Sequence, residues 1–272
     1  MSTGATHPQL KGRLALVTGA SSGIGEAYAK LLAEQGSDLI LVARRKERLL
    51  DLGARLERDH GVQVHVLPGD LSDPNTPQRL IEEATAIGDV QLLVNNAGVG
   101  SYGPFLDRPL DVQLRTVDIN SRALMEMCWR FGQHMREHGK PSWINNVASI
   151  AAYQSTPGYA AYSGSKYFVR VFSETLAHEL KDTAIAVSCL CPGATYTEFM
   201  ENAKIEVTER GHATFMSAEA VAQIGLEGLI RGKTVVVPGA VNKLATFLPR
   251  FAPTGLSLAI ADVAMRKTVR EV

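Results

Sequence analysis

Short apolar runs recur along the chain and alternate with segments of helical period. Leu14-Ala15-Leu16-Val17-Thr18 is unbroken and stops at Gly19, the pattern of a strand buried on both faces. Similar runs predict strands at 38–43, 63–68, 92–95, 142–147, 184–191 and 234–238. Between them, spaced apolar residues predict helices: after Gly25 through Leu31 and Leu32, over 76–86, and from Pro109 to about Arg136. A further helix carries Tyr162 and Lys166 and continues through Phe168, Val171, Phe172, Leu176 and Leu180; another, capped by Ser217, runs to Arg231. Regular strand–helix alternation implies an α/β fold, a single-domain Rossmann-type doubly wound parallel sheet. About seven strands are expected, in order 3-2-1-4-5-6-7, with helices on both faces.

Residues 11–240 form the expected core of that one domain. Within it, 196–216 has no strong period and reads as a lid. The tail, 241–272, is an apolar helical extension carrying Leu244, Phe247, Leu248, Phe251, Leu256, Leu258, Ile260 and Val263. Pro249, Arg250, Pro253 and Asp262 interrupt it, so it is not expected to cross a bilayer. It is expected to cover a cleft or meet a second subunit, with attachment to a membrane surface as the alternative.

Composition adds exclusions. Of 272 residues, 45% are hydrophobic and 21% charged, with a formal net charge of zero, so no general attraction to nucleic acid or acidic membranes is expected. Cys128, Cys189 and Cys191 have neither zinc spacing nor the pattern of a disulfide framework, which suits buried thiols in a reducing compartment. No secretory leader and no long apolar span is visible, so a cytoplasmic location is expected. His134 and His138 lack a third ligand; a solvated helix face is expected there, and no metal site.

Chemistry-bearing residues fall just beyond the strands' carboxyl ends, where such sheets bind ligands. After the first strand come Gly19, Ser21, Ser22, Gly23, Ile24 and Gly25. Glycines in a strand–turn–helix context let a pyrophosphate approach, and the helix amides point at it. The second strand ends in Ala43-Arg44-Arg45, where many NAD sites place a carboxylate. A guanidinium suits a dianionic phosphate, so NADP is favoured and NAD is the weaker alternative. Asp70 follows the third strand, placed either to meet an adenine amine or to cap the next turn. Asn95 and Asn96 can tie strand ends together and border a ligand at once. Asn120 sits in an apolar-patterned helix and needs a partner there, a water or a backbone carbonyl. Ser149 follows the fifth strand and Pro192 the sixth.

Tyr162 and Lys166 are one helical turn apart and share a face. An ammonium about 4 Å from a phenolate, at an effective dielectric near 20, is worth roughly 4 kcal/mol, enough to bring a tyrosine from about 10 to near 7. That spacing is common by chance and gains weight from its surroundings.

Taken together, Thr18 to Gly25, Asn95-Asn96-Ala97-Gly98, Asn120, Ser149, Tyr162-x3-Lys166 and Pro192-Gly193 with Thr197 resemble the short-chain dehydrogenase/reductases in order and spacing. The resemblance covers about residues 11 to 240. It implies that Tyr162 is the general acid when a carbonyl is reduced, that Ser149 donates to the substrate oxygen, and that Lys166 holds the nicotinamide ribose and lowers the phenol's pKa. Asn120 would position a water. The turn from Gly19 to Ile24 would take the pyrophosphate, Asp70 and Leu71 the adenine, Asn96, Ala97 and Gly98 the ribose side, and Pro192, Gly193, Thr195 and Thr197 the nicotinamide end. Ala43-Arg44 resembles NADP-preferring members. The one departure is Ser22, where a basic residue would precede Gly23; the 2′-phosphate would then depend mainly on Arg44, with hydroxyl help from Ser21 or Ser22. By the same analogy the chain would form a homodimer or homotetramer.

The expected function is an NADP(H)-dependent oxidoreductase acting on a ketone, aldehyde or secondary alcohol. Tyr102, Phe105, Tyr153, Tyr159, Phe199 and Met200 could form an apolar wall, which favours a lipophilic substrate. Nucleotide-sugar epimerases carry a different glycine spacing and a longer substrate domain. A non-catalytic NADP-binding regulator is the remaining alternative, and it would be expected to lack one of Asn120, Ser149, Tyr162 or Lys166, all of which are present.

Overall fold

The computed structural model describes residues 7–199, 205–207 and 215–271. Seven strands form one parallel sheet: β1 (Leu14–Thr18), β2 (Asp38–Val42), β3 (Val64–Val66), β4 (Val90–Asn95), β5 (Ser142–Val147), β6 (Ile185–Leu190) and β8 (Val235–Val236). Their order is β3-β2-β1-β4-β5-β6-β8, which is the expected 3-2-1-4-5-6-7 once β7 (Ile205–Val207), which lies outside the sheet, is set aside. The third and seventh strands are shorter than their apolar runs, since both lie at sheet edges with one neighbour to pair with.

The unbroken apolar runs follow from burial on both faces. Ala15 and Val17 of β1, with Leu39 and Leu41 of β2, pack into a layer holding Tyr28, Leu32 and Leu226. Leu16 and Ile40 point the other way, into a layer with Leu93, Phe131, Met135 and Ile144. Alternate residues serve opposite cores, so no position can be polar without a partner. β1 pairs with β2 on one side and β4 on the other. The strand order reverses there, and the diverging connections leave a crevice beyond the carboxyl ends.

One predicted helix is not continuous. The segment after Pro109 forms an α-helix over Leu110–Val117, a π-helical turn over Asp118–Ala123, and a second α-helix over Leu124–His138. The wider turn carries Asn120, whose side chain bonds elsewhere than along its own helix. The tail forms helices Ala240–Phe247 and Thr254–Thr268 joined by a 3-10 turn, Leu248–Phe251. It ends in β9 (Val269–Glu271), antiparallel to β7. Most of the expected lid lies outside the described residues. Among those described, no helix is long and apolar enough to cross a membrane.

Candidate active site

The dinucleotide end of the crevice is shaped by glycines. Gly19 has φ +68, and a Cβ there would lie 2.7 Å from Asn96 Nδ2. A Cβ on Gly25 would lie 2.3 Å from the Gly19 carbonyl oxygen and 2.5 Å from Asn96 Nδ2. Asn96 is the clamp: its Nδ2 donates to the Thr18 carbonyl at 3.0 Å, and the Asn96 and Ala97 amides both donate to Thr18 Oγ1. The paired asparagines thus tie strand ends together, since Asn95 Nδ2 also donates to Asn146 Oδ1 at 2.9 Å. Helix Gly23–Glu34 begins at this turn with its first amides unpaired by the helix itself.

Gly25→Ala is expected to destabilise the fold by about 1–3 kcal/mol and lower Tm by roughly 2–10 °C, because the new methyl meets rigid backbone. NADPH binding, followed by its fluorescence, should weaken alongside.

A cavity of about 760 Å³ runs from this turn to Tyr162. Gly19, Ser21, Ser22, Gly23 and Ile24 line one end, with Arg44, Arg45, Asp70 and Leu71 beyond them. Asn96, Ala97 and Gly98 form the middle, and Ser149, Tyr162, Lys166, Pro192, Gly193, Thr195 and Thr197 the other end. Asn120 sits behind this wall, fully buried. A bare-backbone turn, an unpaired helix start and an elongated cleft of this volume fit a dinucleotide.

Helix Ala160–Glu179 brings Tyr162 and Lys166 to the cleft on one face. Lys166 is buried, with Nζ 5.8 Å from the Tyr162 ring centroid and donating to the Val147 carbonyl at 2.8 Å. Ser149, just beyond β5, accepts from the Ala151 amide at 3.1 Å and lies close enough to the Tyr162 phenol to act on its titration. Asn120 finds its partner in Val99: Nδ2 donates to the carbonyl and Oδ1 accepts from the amide, both at 2.9 Å. Nδ2 also donates to Ser165 Oγ at 3.0 Å. Asn120 Oδ1 and Lys166 Nζ each lie 3.3 Å from where a Gly98 Cβ would be, so a side chain there would crowd both groups.

The expected fall of the phenol's pKa to near 7 is not what this arrangement produces. Tyr162 is partly open to the cleft, yet the protein packed round its phenol pushes it up to about 12, opposed only by the Ser149 hydrogen bond. Lys166 is brought down to about 8 by its own burial. Desolvation disfavours both charged forms, and the ammonium is spent on the Val147 carbonyl as well as facing the ring.

At the far corner the two arginines divide differently than expected. Arg44 is exposed and lines the cleft, whereas Arg45 takes the hydroxyl partners, donating to Ser21 Oγ at 3.0 Å and Ser22 Oγ at 2.9 Å. Arg45 also pairs with Glu198 at 2.6 Å. Asp70 does organise the next turn, accepting from the Ser72 amide and hydroxyl at 3.0 and 2.8 Å. It is paired with Arg115 at 2.8 Å as well, and its carboxyl is lowered because these bonds outweigh burial.

The substrate end also differs in membership. Tyr159, Phe199, Phe215 and Met265 line it, with Gln154 and Thr156. Tyr102 packs behind Tyr159 at 5.1 Å between ring centroids, and Tyr153 lies against Arg170. Phe105 is half exposed, on a 3-10 turn away from the cleft, and Met200 lies outside the described residues. Arg115, Glu198, Phe215 and Met265 were not legible as site residues. Each is an ordinary surface-type or apolar residue whose position depends on chain path alone. His134 and His138 do not form a solvated face: His134 accepts from the Val90 amide at 3.2 Å, and burial lowers its pKa. Among the described residues no cluster could hold a metal ion.

Comparison with known proteins agrees with this geometry. The profile of the family described as short chain dehydrogenase matches residues 13–207. The 1-deoxy-11-beta-hydroxypentalenate dehydrogenase of Streptomyces exfoliatus is 33% identical over 223 residues, 81% of this chain and 80% of that protein. Other relatives are longer, and the chain spans 62% or 32% of them. A short-chain dehydrogenase from Sphingobium yanoikuyae, solved in complex with NADPH, matches with TM-score 0.78 and 29% identity over 89% of this chain and 96% of that one. Another from Burkholderia phymatum, in complex with NAD, matches with TM-score 0.81 and 25% identity, over 89% and 94%. By sequence and by fold, this chain belongs to the short-chain dehydrogenase family and is an oxidoreductase.

Proposed function

We propose that the protein is an NADP(H)-dependent reductase of lipophilic ketones or aldehydes, working in reverse on secondary alcohols. The observation that carries this reading is that Ser149, Tyr162 and buried Lys166 come together at one end of a cleft whose other end is a bare glycine turn. Arg44 and Arg45 at the end of β2 favour a 2′-phosphate over a plain ribose, as does the NADPH complex of the Sphingobium relative. The apolar wall of Tyr159, Phe199, Phe215 and Met265 suits a lipophilic substrate.

When bound, NADPH supplies the hydride. Ser149, whose oxygen is held by the Ala151 amide and whose hydrogen faces the Tyr162 phenol, turns that hydrogen to the substrate oxygen as that atom gains negative charge. The Tyr162 phenol, held protonated by burial, gives its proton to the same oxygen. Lys166 places a cation beneath the phenolate left behind. Asn120 ties the loop at Val99, beyond β4, to Ser165, one residue before that lysine, and would anchor a water feeding protons to Lys166.

Screening a panel of apolar ketones and aldehydes for NADPH and NADH consumption tests the proposal. Turnover of bulky apolar carbonyls with NADPH preferred is expected; turnover of none of them with either cofactor would overturn it.

The direction of the Tyr162 shift also predicts a pH profile. A phenol raised to about 12 stays protonated through neutral pH, so its proton remains available for reduction. Oxidation needs the phenolate, whose fraction grows tenfold per pH unit below that value. Log kcat/KM for alcohol oxidation should therefore rise with slope about one from about pH 6 to 8, below the point where Lys166, brought down to about 8, loses its charge. A plateau already at about pH 7 would show the phenol tuned to near 7 instead.

A further inference from the structure

We propose that Glu198 is a specificity-determining residue that opposes binding of a phosphate on the adenosine ribose by holding the guanidinium which that phosphate would use. The inference rests on the reading that places the ribose beside Arg44 and Arg45.

Arg45 has its whole donor fork engaged. Nε and Nη2 donate to Ser21 Oγ, Nη2 also to Ser22 Oγ, and Nη1 to Glu198 Oε2 at 2.6 Å. The second carboxylate oxygen, Oε1, takes Arg48 Nη1 at 2.5 Å. One carboxylate thus bridges two arginines, at the corner where two serine hydroxyls and a third arginine, Arg44, meet. The Glu198 carboxyl is lowered first by its bond to Arg45 and then by Arg48, so it is ionised at neutral pH.

A dianionic phosphate entering this corner competes with that carboxylate for Arg45. Glu198 must either give up the guanidinium or stay close to a second anion, and both outcomes weaken binding. A ribose with a free 2′-hydroxyl carries no such charge and leaves the Glu198 bridge in place. Glu198 therefore narrows the margin by which the arginines favour the phosphorylated cofactor, while Arg44, exposed and without an ion pair among the described residues, stays available. Side chains of Arg45 and Glu198 are 38% and 33% exposed, so solvent screens the effect to a modest size.

The test uses two probes that share a 5′-phosphate and differ in the 2′-phosphate: 2′,5′-ADP and 5′-AMP. Calorimetric titration at low salt compares wild type with Glu198→Gln, and with Glu198→Ala as a second variant, each first shown to melt like wild type. Both variants are expected to bind 2′,5′-ADP about five- to tenfold more tightly and 5′-AMP within about twofold of wild type. The gain should shrink as salt is raised. Unchanged affinity for 2′,5′-ADP would overturn the inference, and so would an equal shift for both probes, which would mean that Glu198 only shapes the loop. The ratio of the two affinities in wild type separately tests the NADP reading: wild type without preference, beside variants that acquire one, would keep the inference and remove that reading.

Discussion

Tyr162→Phe is expected to lower kcat for carbonyl reduction by about 10²–10⁴-fold while leaving NADPH affinity within about twofold. The two side chains differ by one hydroxyl. The ring's contacts survive the change: its packing on Phe199 and Tyr159 at 5.4 Å, and the Lys166 ammonium 5.8 Å from its centroid. What is lost is the proton donor and the hydrogen bond to Ser149. Lys166 Nζ is turned to the Val147 carbonyl and Tyr159 packs against the ring at 5.4 Å between centroids. Steady-state kinetics on any accepted ketone, with NADPH fluorescence titration alongside, measures both quantities. A variant with comparable kcat would show that the proton comes from elsewhere.

Ser149→Ala should lower kcat by about 10²–10³-fold, the range for removing one donor to a developing oxyanion. The Ser149 oxygen accepts from the Ala151 amide, which fixes the hydroxyl just beyond β5, and the hydrogen that opposes the rise of the Tyr162 phenol is the one a bound substrate oxygen would take up. Removing it also takes away the one interaction that opposes the upward push on the Tyr162 phenol. The variant's oxidation profile should therefore shift to still higher pH, a response that a purely structural serine would not give. If kcat falls with no change in the pH profile, Ser149 acts on the substrate alone.

Much of this architecture is visible in the chain because burial on both faces forces it. Every residue of β4 is buried, so Leu92 to Val94 shows an unbroken apolar run closed by an amide, Asn95, that can pair with Asn146. Glycine positions are equally telling, as Gly25 and Gly19 meet backbone that admits no side chain. Asn120 announced itself as an amide in apolar surroundings, and its Val99 carbonyl partner is one of the two kinds its burial demanded. The π turn around it was not legible, because the residues of 118–123 follow helical spacing like their neighbours.

Other features depend on chain path and left no local signal. Glu198 reaches Arg45 and Arg48 across about 150 residues of sequence, as the paired positions show. Met265 comes to the cleft from the tail, where apolar residues are common and mostly face outward. The Tyr162–Lys166 spacing places the pair on one face as expected, but the sign of the phenol's shift depends on how dry the cleft is and on where the ammonium finds its hydrogen bond. Distance along a helix carries neither.

The central claim is that this cleft sets a nicotinamide against a carbonyl that Ser149 and Tyr162 hold and protonate. NADPH deuterated at C4 on the transferred face, incubated with an accepted ketone, tests it by mass and proton spectra of the alcohol. The account predicts one deuterium on the carbinol carbon with wild type and a rate of its appearance lowered by about 10²–10⁴-fold with Tyr162→Phe. Alcohol formed without the label, or labelled equally fast by the variant, would contradict it.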